Sequence, residues 1–196
     1  MRPGTVHDLP GAYRVCLLTA DAGGDASGLH DDPDLLGHVW TGPYLVFPAA
    51  IRRVLHDEHG VAGYCVAVPD TRAFEGWLAG VWLPPLRARY PLGSGTTSAD
   101  AALVARLHDP PTADGGLLDA HPAHLHIDLL PRLQGQGWGR RVLEAVLDEL
   151  AATGVPGVHL GVDDANTGAH AFYERLGFTE LAGPPGARWY GRRLTG

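Results

Sequence analysis

A glycine-rich turn at residues 134–140 has the residue types that bind a diphosphate. It reads Gln-Gly-Gln-Gly-Trp-Gly-Arg and lies between a predicted strand and an amphipathic helix. The first backbone N–H groups of a helix lack internal partners, and the helix dipole places partial positive charge there. Glycine lets the backbone approach phosphate oxygens without a Cβ clash. The turn therefore predicts an anion site formed by backbone N–H groups, with Arg140 and Arg141 adding positive charge.

The spacing of the turn excludes two common phosphate-binding loops. A Walker loop ends in Gly-Lys-Ser/Thr, and the chain contains no lysine. A dinucleotide fingerprint requires a glycine three residues after Gly137, where Arg140 stands, and the acidic ribose-binding residue expected about 20 residues later is absent. The pattern that fits is Gln-x-x-Gly-x-Gly at Gln134, Gly137 and Gly139.

Two motifs in this order resemble the GNAT N-acetyltransferase superfamily. Its acetyl-CoA signature, Arg/Gln-x-x-Gly-x-Gly/Ala, fits residues 134–139. A second stretch, with Asn166, Ala169 and Phe-Tyr-Glu-Arg-Leu-Gly-Phe at 172–178, is similar to the superfamily's Asn-x-x-Ala…Tyr…Leu-Gly-Phe. The resemblance implies a transfer of the acetyl group of acetyl-CoA directly to a primary amine.

A looser resemblance covers most of residues 50–194. The segments GYCVAVPDT, WLPPLRARYP and HLHIDLLP are similar to the acetyltransferase-like domain at the C-terminus of O-GlcNAcase proteins and to its free-standing bacterial relatives. This resemblance implies an α/β fold of the α+β type. Its central mixed, mostly antiparallel sheet would have about six to seven strands, be flanked by helices, and be splayed at the acetyl-CoA site.

The resemblance also assigns the residues that contact acetyl-CoA. Backbone N–H groups near the end of the strand before the turn would bind the thioester carbonyl and the pantetheine arm, and Asn166 would contact that arm. The predicted acetyl-CoA-binding residues are Leu129, Leu130, Gln134, Gly135, Gln136, Gly137, Trp138, Gly139, Arg140, Asn166, Ala169, Phe172 and Tyr173.

Asp128 is the candidate general base. Side chains alternate along a strand, so His124, His126 and Asp128 share one face, opposite Leu125, Ile127 and Leu129. The apolar face belongs in the core, and the polar face is predicted to look into the substrate cleft. The superfamily often places a carboxylate base on this strand. The alternative is that Asp128 only bonds a nearby backbone group.

Tyr173 is the candidate general acid. Asn166 and Tyr173 are seven residues apart, close to two helical turns, so they share a helix face about 10 Å apart along the axis. The resemblance assigns Tyr173 to the departing sulfur. A core role is the alternative, although Phe172 fits that role better because it pairs with Leu176 at i+4.

His124, His126 and Asp128 also have the residue types of a metal site. Strand ligands of this kind usually need further His or Asp residues, and the metallohydrolase pattern would place a His where Leu129 stands. No metal is predicted. A proton relay from His126 to Asp128 is a further alternative.

The elements that would position these residues follow from hydrophobic periodicity and from turn signals. Strands are predicted at 1–6, 51–55, 61–68, 124–130, 157–162, 178–181 and 188–194. Helices are predicted from Asp8 onward and at 34–40, 71–81, 101–107, 137–152 and 165–176. Gly42-Pro43 and Pro84-Pro85 are predicted to stop the helices before them, and 109–116 is predicted to be a loop.

We interpret residues 1–196 as one acetyltransferase domain with an inserted segment at about 71–122. The insertion separates two strands that follow each other closely in the simple family plan. Trp77, Trp82 and Tyr90 in this segment would form an extra core layer, a substrate groove or a dimer contact, so a homodimer is one interpretation.

Composition and charge argue against two classes of protein, nucleic-acid binders and membrane-spanning proteins. A formal net charge of -7 over 196 residues argues against a general nucleic-acid binder. No apolar run approaches the length of about 20 residues that crosses a membrane, and no signal peptide is visible, so a cytoplasmic protein is predicted. Cys16 and Cys65 lie in apolar surroundings and are predicted to be free, buried thiols.

Two functions fit the sequence. The first is an N-acetyltransferase that uses Asp128 as base and Tyr173 as acid. The second is a non-catalytic acetyl-CoA-binding module, which would keep the turn at 134–140 without depending on those two side chains. The acceptor would be a small amine, a peptide N-terminus or a lysine side chain, and the acidic N-terminal part of the chain is consistent with a cationic amine.

Overall fold

A mixed sheet of seven strands forms the centre of the computed structural model, which describes residues 1–113, 115–183 and 186–194. The strands are β1 (Arg2–Pro3), β2 (Ile51–Asp57), β3 (Gly60–Val68), β4 (Ala123–Leu129), β5 (Gly157–Asp163), β6 (Thr179–Leu181) and β7 (Ala187–Arg193). Their order is β1-β2-β3-β4-β5-β7-β6, and all neighbours are antiparallel except β4 and β5. The predicted fold class is confirmed.

Helices cover both faces of this sheet. They are α1 (Leu9–Leu17), α2 (Leu35–Trp40), α3 (Gly42–Val46), α4 (Thr71–Trp77), α5 (Leu83–Arg89), α6 (Ser98–His108), α7 (Gly115–Ala120), α8 (Trp138–Ala152) and α9 (Thr167–Arg175). Apolar side chains of α1 to α6 form one core cluster with side chains of β2 and β3. Side chains of α8 and α9 form a second cluster on the opposite face.

Alternation along β3 and β4 divides their side chains between the two clusters. Tyr64 and Val66 belong to the cluster under α1 to α6, whereas Cys65 and Ala67 belong to the cluster under α8 and α9. The register pairs Tyr64 with Asp128, so both side chains emerge on the same face. The polar row of β4 therefore faces the N-terminal helices.

Strands β4 and β5 separate soon after they meet. Their pairing covers two residue pairs, Ala123 with Val158 and His124 with His159. By contrast, β4 stays paired with β3 as far as Leu129, and β5 stays paired with β7 over its whole length. A wedge-shaped gap consequently opens between β4 and β5 beyond His124, as the resemblance implied.

Helix α2 ends at Trp40, before Gly42-Pro43, as predicted, whereas Pro84-Pro85 did not stop the helix before it. Gly42-Pro43 begins α3, and Pro84 is the second residue of α5. The first residues of a helix have no internal acceptor for their N–H groups, so proline is tolerated there. The helix predicted at 71–81 instead runs through one π-helical turn at Leu78–Trp82 into α5.

The segment predicted as an insertion contains α4, the π-helical turn, α5, α6 and α7. Helix α7 was not predicted, because its Gly-rich sequence gives a weak helical pattern. Asp114, part of the loop predicted at 109–116, lies outside the described residues, as do residues 184–185 and 195–196. Within the described ranges, no helix combines the length and the apolar composition of a membrane span. Cys16 and Cys65 are free and buried, as predicted.

Candidate active site at the gap between β4 and β5

The glycine turn presents a row of unpaired backbone donors. Gly135 and Gly137 have φ values of 70° and 79°, which favour glycine, and Gly137 is the N-cap of α8. A Cβ at either position would meet nothing within 4 Å, so the space in front of the turn is open. Within the described residues, no backbone carbonyl accepts a hydrogen bond from the N–H groups of 135–140. This geometry suits an anionic diphosphate.

Two glutamine side chains hold the turn in place. Gln134 Nε2 donates to the carbonyl of Leu129 at 2.8 Å, and Gln136 Nε2 donates to the carbonyl of Arg132 at 2.7 Å. The amide of Gln134 thus ties the turn to the end of β4. Gln134 therefore positions the turn beside the gap.

The two arginines of the turn already have partners. Arg140 Nε lies 2.7 Å from Glu144 Oε1, and the Arg140 side chain is 68% exposed. The Arg141 guanidinium lies over the Trp138 ring, 5.2 Å from its centroid. The positive charge of Arg140 is therefore partly compensated, and the backbone donors remain the main anion-binding groups.

The two predicted motifs meet at Gly139. A Cβ on Gly139 would lie 3.3 Å from the ring of Phe172, so α8 and α9 approach closely at this point. Asn166 is the N-cap of α9, and its side chain accepts a hydrogen bond from the N–H of Ala169 at 3.2 Å. Asn166 and Ala169 thereby fix the start of the helix that carries Tyr173.

Tyr173 is buried among aromatic rings below the gap. It is 6% exposed, and its ring contacts those of Phe172, Phe178 and Tyr190, with centroids 5.2, 5.4 and 6.1 Å away. Burial raises the pKa of the Tyr173 hydroxyl, and the nearby Cys65 and Asp128 raise it further. The hydroxyl therefore keeps its proton at neutral pH, as a general acid must.

One of the two backbone N–H groups that were predicted to point into the gap, that of Leu130, does not do so. The N–H of Leu130 is not free, because it donates to the carbonyl of Ala62 at 2.9 Å. Backbone groups alternate in direction along a strand, so the N–H groups that point toward the gap past the last β4–β5 pair are those of Ile127 and Leu129. The N–H group of Ile127 was missed because the register between β3 and β4 decides which residues of β4 direct their N–H groups toward the gap, and the sequence does not give that register.

Asp128 lies at the end of a short hydrogen-bonded chain. The Tyr64 hydroxyl donates to Asp128 Oδ2, and Thr41 Oγ1 lies 2.7 Å from the Tyr64 oxygen, to which it donates. Burial raises the pKa of Asp128 to about 6, against the opposing effects of the Tyr64 hydroxyl and of Thr19. The carboxylate is thus mostly ionised at neutral pH but basic enough to accept a proton. Sequence reasoning missed Tyr64 and Thr41, since only the strand register and the packing of α3 bring them here.

Replacing Tyr64 with phenylalanine is expected to raise the pKa of Asp128, because the carboxylate loses a donor that stabilises its charged form. If Asp128 is the base, the acidic limb of kcat/KM moves to higher pH by about one pH unit. A pH profile of the acetylation rate measures this shift. Thr41→Val, one hydrogen bond further away, serves as the control and moves the limb less. An acidic limb that stays in place in Tyr64→Phe would contradict the assignment.

His124 has a structural role. The Thr71 hydroxyl donates to the carbonyl of Pro122, so it accepts from His124 Nδ1, while His124 Nε2 accepts from the Tyr44 hydroxyl. Both ring nitrogens are used, and burial holds the pKa of His124 well below its usual range. A neutral His124 with this tautomer has no lone pair left for a metal ion.

His126 lies between His124 and Asp128, among aromatic rings. Its centroid is 5.5 Å from that of Trp40 and 5.3 Å from that of Tyr44. Burial and the charge of Arg106 lower the pKa of His126 to about 4, so the ring is neutral at pH 7. His126, Asp128 and Trp40 are each only partly buried.

Asp128 and Tyr173 lie on opposite faces of the sheet. Tyr64, the partner of Asp128, belongs to the cluster under α1 to α6, whereas Tyr173 belongs to the cluster under α8 and α9. The gap between β4 and β5 is the opening that connects the two faces. A thioester lying in that gap would be within reach of both side chains.

The chain is similar to a known protein family and to a solved structure. The model of a family described as "Acetyltransferase (GNAT) family" matches residues 104–178. A solved structure named SsHAT is 37% identical, covers 100% of this chain and 98% of its own, and superposes with a TM-score of 0.87.

Two curated relatives are similar over part of their length. Protein O-GlcNAcase of Rattus norvegicus is 24% identical over 187 residues, which is 93% of this chain and 20% of that protein. Mycothiol acetyltransferase of Beutenbergia cavernae is 37% identical over 109 residues, which is 51% of this chain and 35% of that protein. The chain thus spans about a fifth of the length of the O-GlcNAcase relative.

Proposed function

The chain belongs to the GNAT acetyltransferase family, and from this premise we propose that it transfers the acetyl group of acetyl-CoA to a primary amine. One observation carries the proposal: unpaired N–H groups at 135–140 lie beside a gap that exposes backbone donors and connects the Asp128 carboxylate with the Tyr173 hydroxyl. In one place the chain thus has an anion site, a base, an acid and donors for a carbonyl oxygen.

The start of α8 would hold the diphosphate of acetyl-CoA. The six N–H groups of 135–140 and the helix dipole supply positive potential without a lysine. Phe172 packs on Gly139 and fixes the distance between α8 and α9, so the pantetheine arm would run from the turn along α9 into the gap. The sulfur end would then reach Tyr173.

Asp128 would prepare the amine for attack. An alkylamine is mostly protonated at neutral pH and is not nucleophilic until it loses that proton. The Asp128 carboxylate, with a pKa of about 6, would take this proton directly or through water. Tyr64 would keep the carboxylate oriented toward the cleft.

The backbone and Tyr173 would complete the transfer. The N–H groups of Ile127 and Leu129 would polarise the thioester carbonyl as the new C–N bond forms. As the C–S bond breaks, the Tyr173 hydroxyl would give its proton to the departing thiolate, and solvent would restore that proton. Two protons thus leave the nitrogen, the first to Asp128 before the attack and the second to solvent as the amide forms, while one proton passes from Tyr173 to sulfur.

The test is a screen of primary amines with acetyl-CoA, with detection of the released CoA thiol. We expect turnover of at least one amine, with a rate about tenfold lower in Tyr173→Phe because the phenylalanine ring fills the same space without a proton to donate. Phe178→Leu, a change in the same aromatic cluster, is the control for packing. Binding of acetyl-CoA without turnover of any amine would overturn the proposal in favour of a non-catalytic binding module.

A further inference from the structure

Arg106 is a partly buried cation on the side of the sheet covered by α1 to α6. It lies on α6, and its guanidinium carbon is 4.3 Å from the centroid of the Trp40 ring. Among the described residues, no carboxylate forms an ion pair with it. Burial lowers the pKa of the guanidinium, so its charge is held at a cost that the Trp40 ring offsets only in part. A cation held in this way needs an anionic partner.

The cation lies beside the polar row of β4. The Trp40 ring, over which the guanidinium lies, is 5.5 Å from the His126 ring. Burial and the charge of Arg106 lower the pKa of His126, and the same charge opposes the rise that burial gives the pKa of Tyr44. His126 stands two residues before Asp128 on the same face of β4, which corresponds to about 7 Å along the strand. The charge of Arg106 acts on His126 and is not among the effects that set the pKa of Asp128, so Arg106 lies nearer to His126 than to Asp128.

We propose that Arg106 binds a carboxylate of the acceptor, which is therefore an amino acid or short peptide whose amine and carboxylate are about 7 Å or more apart. The inference rests on the proposed function. The ammonium end would face Asp128 and the carboxylate end would face Arg106, with the chain of the acceptor lying across His126 and Trp40. One guanidinium matches the single charge of a carboxylate, whereas a phosphate monoester would bring nearly two.

The experiment compares matched acceptors that differ only in this group. The pairs are 5-aminopentanoate with 5-aminopentanamide, and glycylglycine with glycylglycinamide, each assayed with saturating acetyl-CoA. We expect the wild-type protein to favour the acid over the amide by about tenfold or more in kcat/KM. Arg106→Gln is expected to raise KM for the acid until the preference is lost, with a much smaller change in KM for the amide. Arg106→Lys keeps part of the preference, because it keeps the charge but loses the planar fork.

Two controls separate recognition from folding. Arg72→Gln, a change at an exposed arginine of the same segment, leaves the preference intact. Thermal unfolding of each variant reports any structural role of the contact between Arg106 and Trp40. Equal rates on acid and amide in the wild type, or a parallel loss on both in Arg106→Gln, would overturn the inference while the proposed function stands.

A failure of the proposed function gives a different result. If no amine is turned over, the same four compounds are titrated by calorimetry with acetyl-CoA present. Binding of the acids that disappears in Arg106→Gln would support the carboxylate site on its own. Acids that bind no better than amides would overturn it.

Discussion

Asp128→Asn is expected to lower kcat on a verified amine about a thousandfold at pH 7, because the amide cannot accept a proton from the ammonium. The acidic limb near pH 6, which follows from the raised pKa of Asp128, disappears in the variant. The remaining rate rises with pH toward the pKa of the amine itself, about 10, as the free amine becomes available. A pH profile of kcat/KM from pH 5 to 10 measures both effects. A variant that retains the wild-type rate at pH 7 excludes Asp128 as the base.

The same variant is expected to be more stable than the wild type above pH 6. A carboxyl group whose pKa is raised in the folded state is penalised in its ionised form, so the penalty is absent below about pH 4 and complete above about pH 6. The shift from 3.8 to about 6 corresponds to roughly 1–3 kcal/mol at neutral pH. Thermal unfolding at pH 4 and at pH 8 measures the difference. Loss of activity together with a higher Tm at pH 8 shows that the defect is chemical and not a loss of fold.

Gly137→Asp is expected to weaken acetyl-CoA binding by roughly a hundredfold. The new carboxylate stands at the N-cap of α8, where it accepts from the first N–H groups of the helix and repels the diphosphate. Aspartate tolerates the left-handed conformation found at this position, with φ of 79°, better than most residues, so the helix still forms. Calorimetric titration with acetyl-CoA gives the dissociation constant.

Gly137→Asn is the matched control for this charge. Asparagine has the same size, tolerates the same backbone conformation and caps the same donors, but it is neutral. We expect a loss of about tenfold, and the difference between the two variants shrinks at high salt. Equal affinities for the two variants at low salt would mean that electrostatic attraction at the helix start does not hold the ligand.

Local signals were sufficient to predict the half of the site that we propose to bind acetyl-CoA. The glycines of the turn, the apolar stripe of α8 and the start of α9 are each encoded within a few neighbouring residues, and the structure has them within one or two residues of the predicted bounds. Alternation along β4 correctly placed His126 and Asp128 on one face, because the period of a strand leaves no choice.

Contacts between residues that are far apart in the sequence could not be predicted from it. Tyr64 meets Asp128 only through the register of β3 and β4, which no local pattern fixes. Arg106 meets Trp40 because α6 packs against α2, and no local sequence pattern predicts a contact over this separation. The effect of Pro84 was misjudged for another reason: proline is compatible with both the end and the start of a helix, and tertiary packing decides between them.

The division of helices between the two sides of the sheet has a consequence for divergence among relatives. With the roles proposed here, CoA is held by α8 and α9, while the acceptor meets α2 and α6 on the other side. A lineage can therefore exchange one amine for another through changes in its N-terminal helices and leave the handling of CoA untouched. Strand β4 contributes to both the CoA side and the acceptor side of the proposed site, so we expect its seven residues to vary least among relatives.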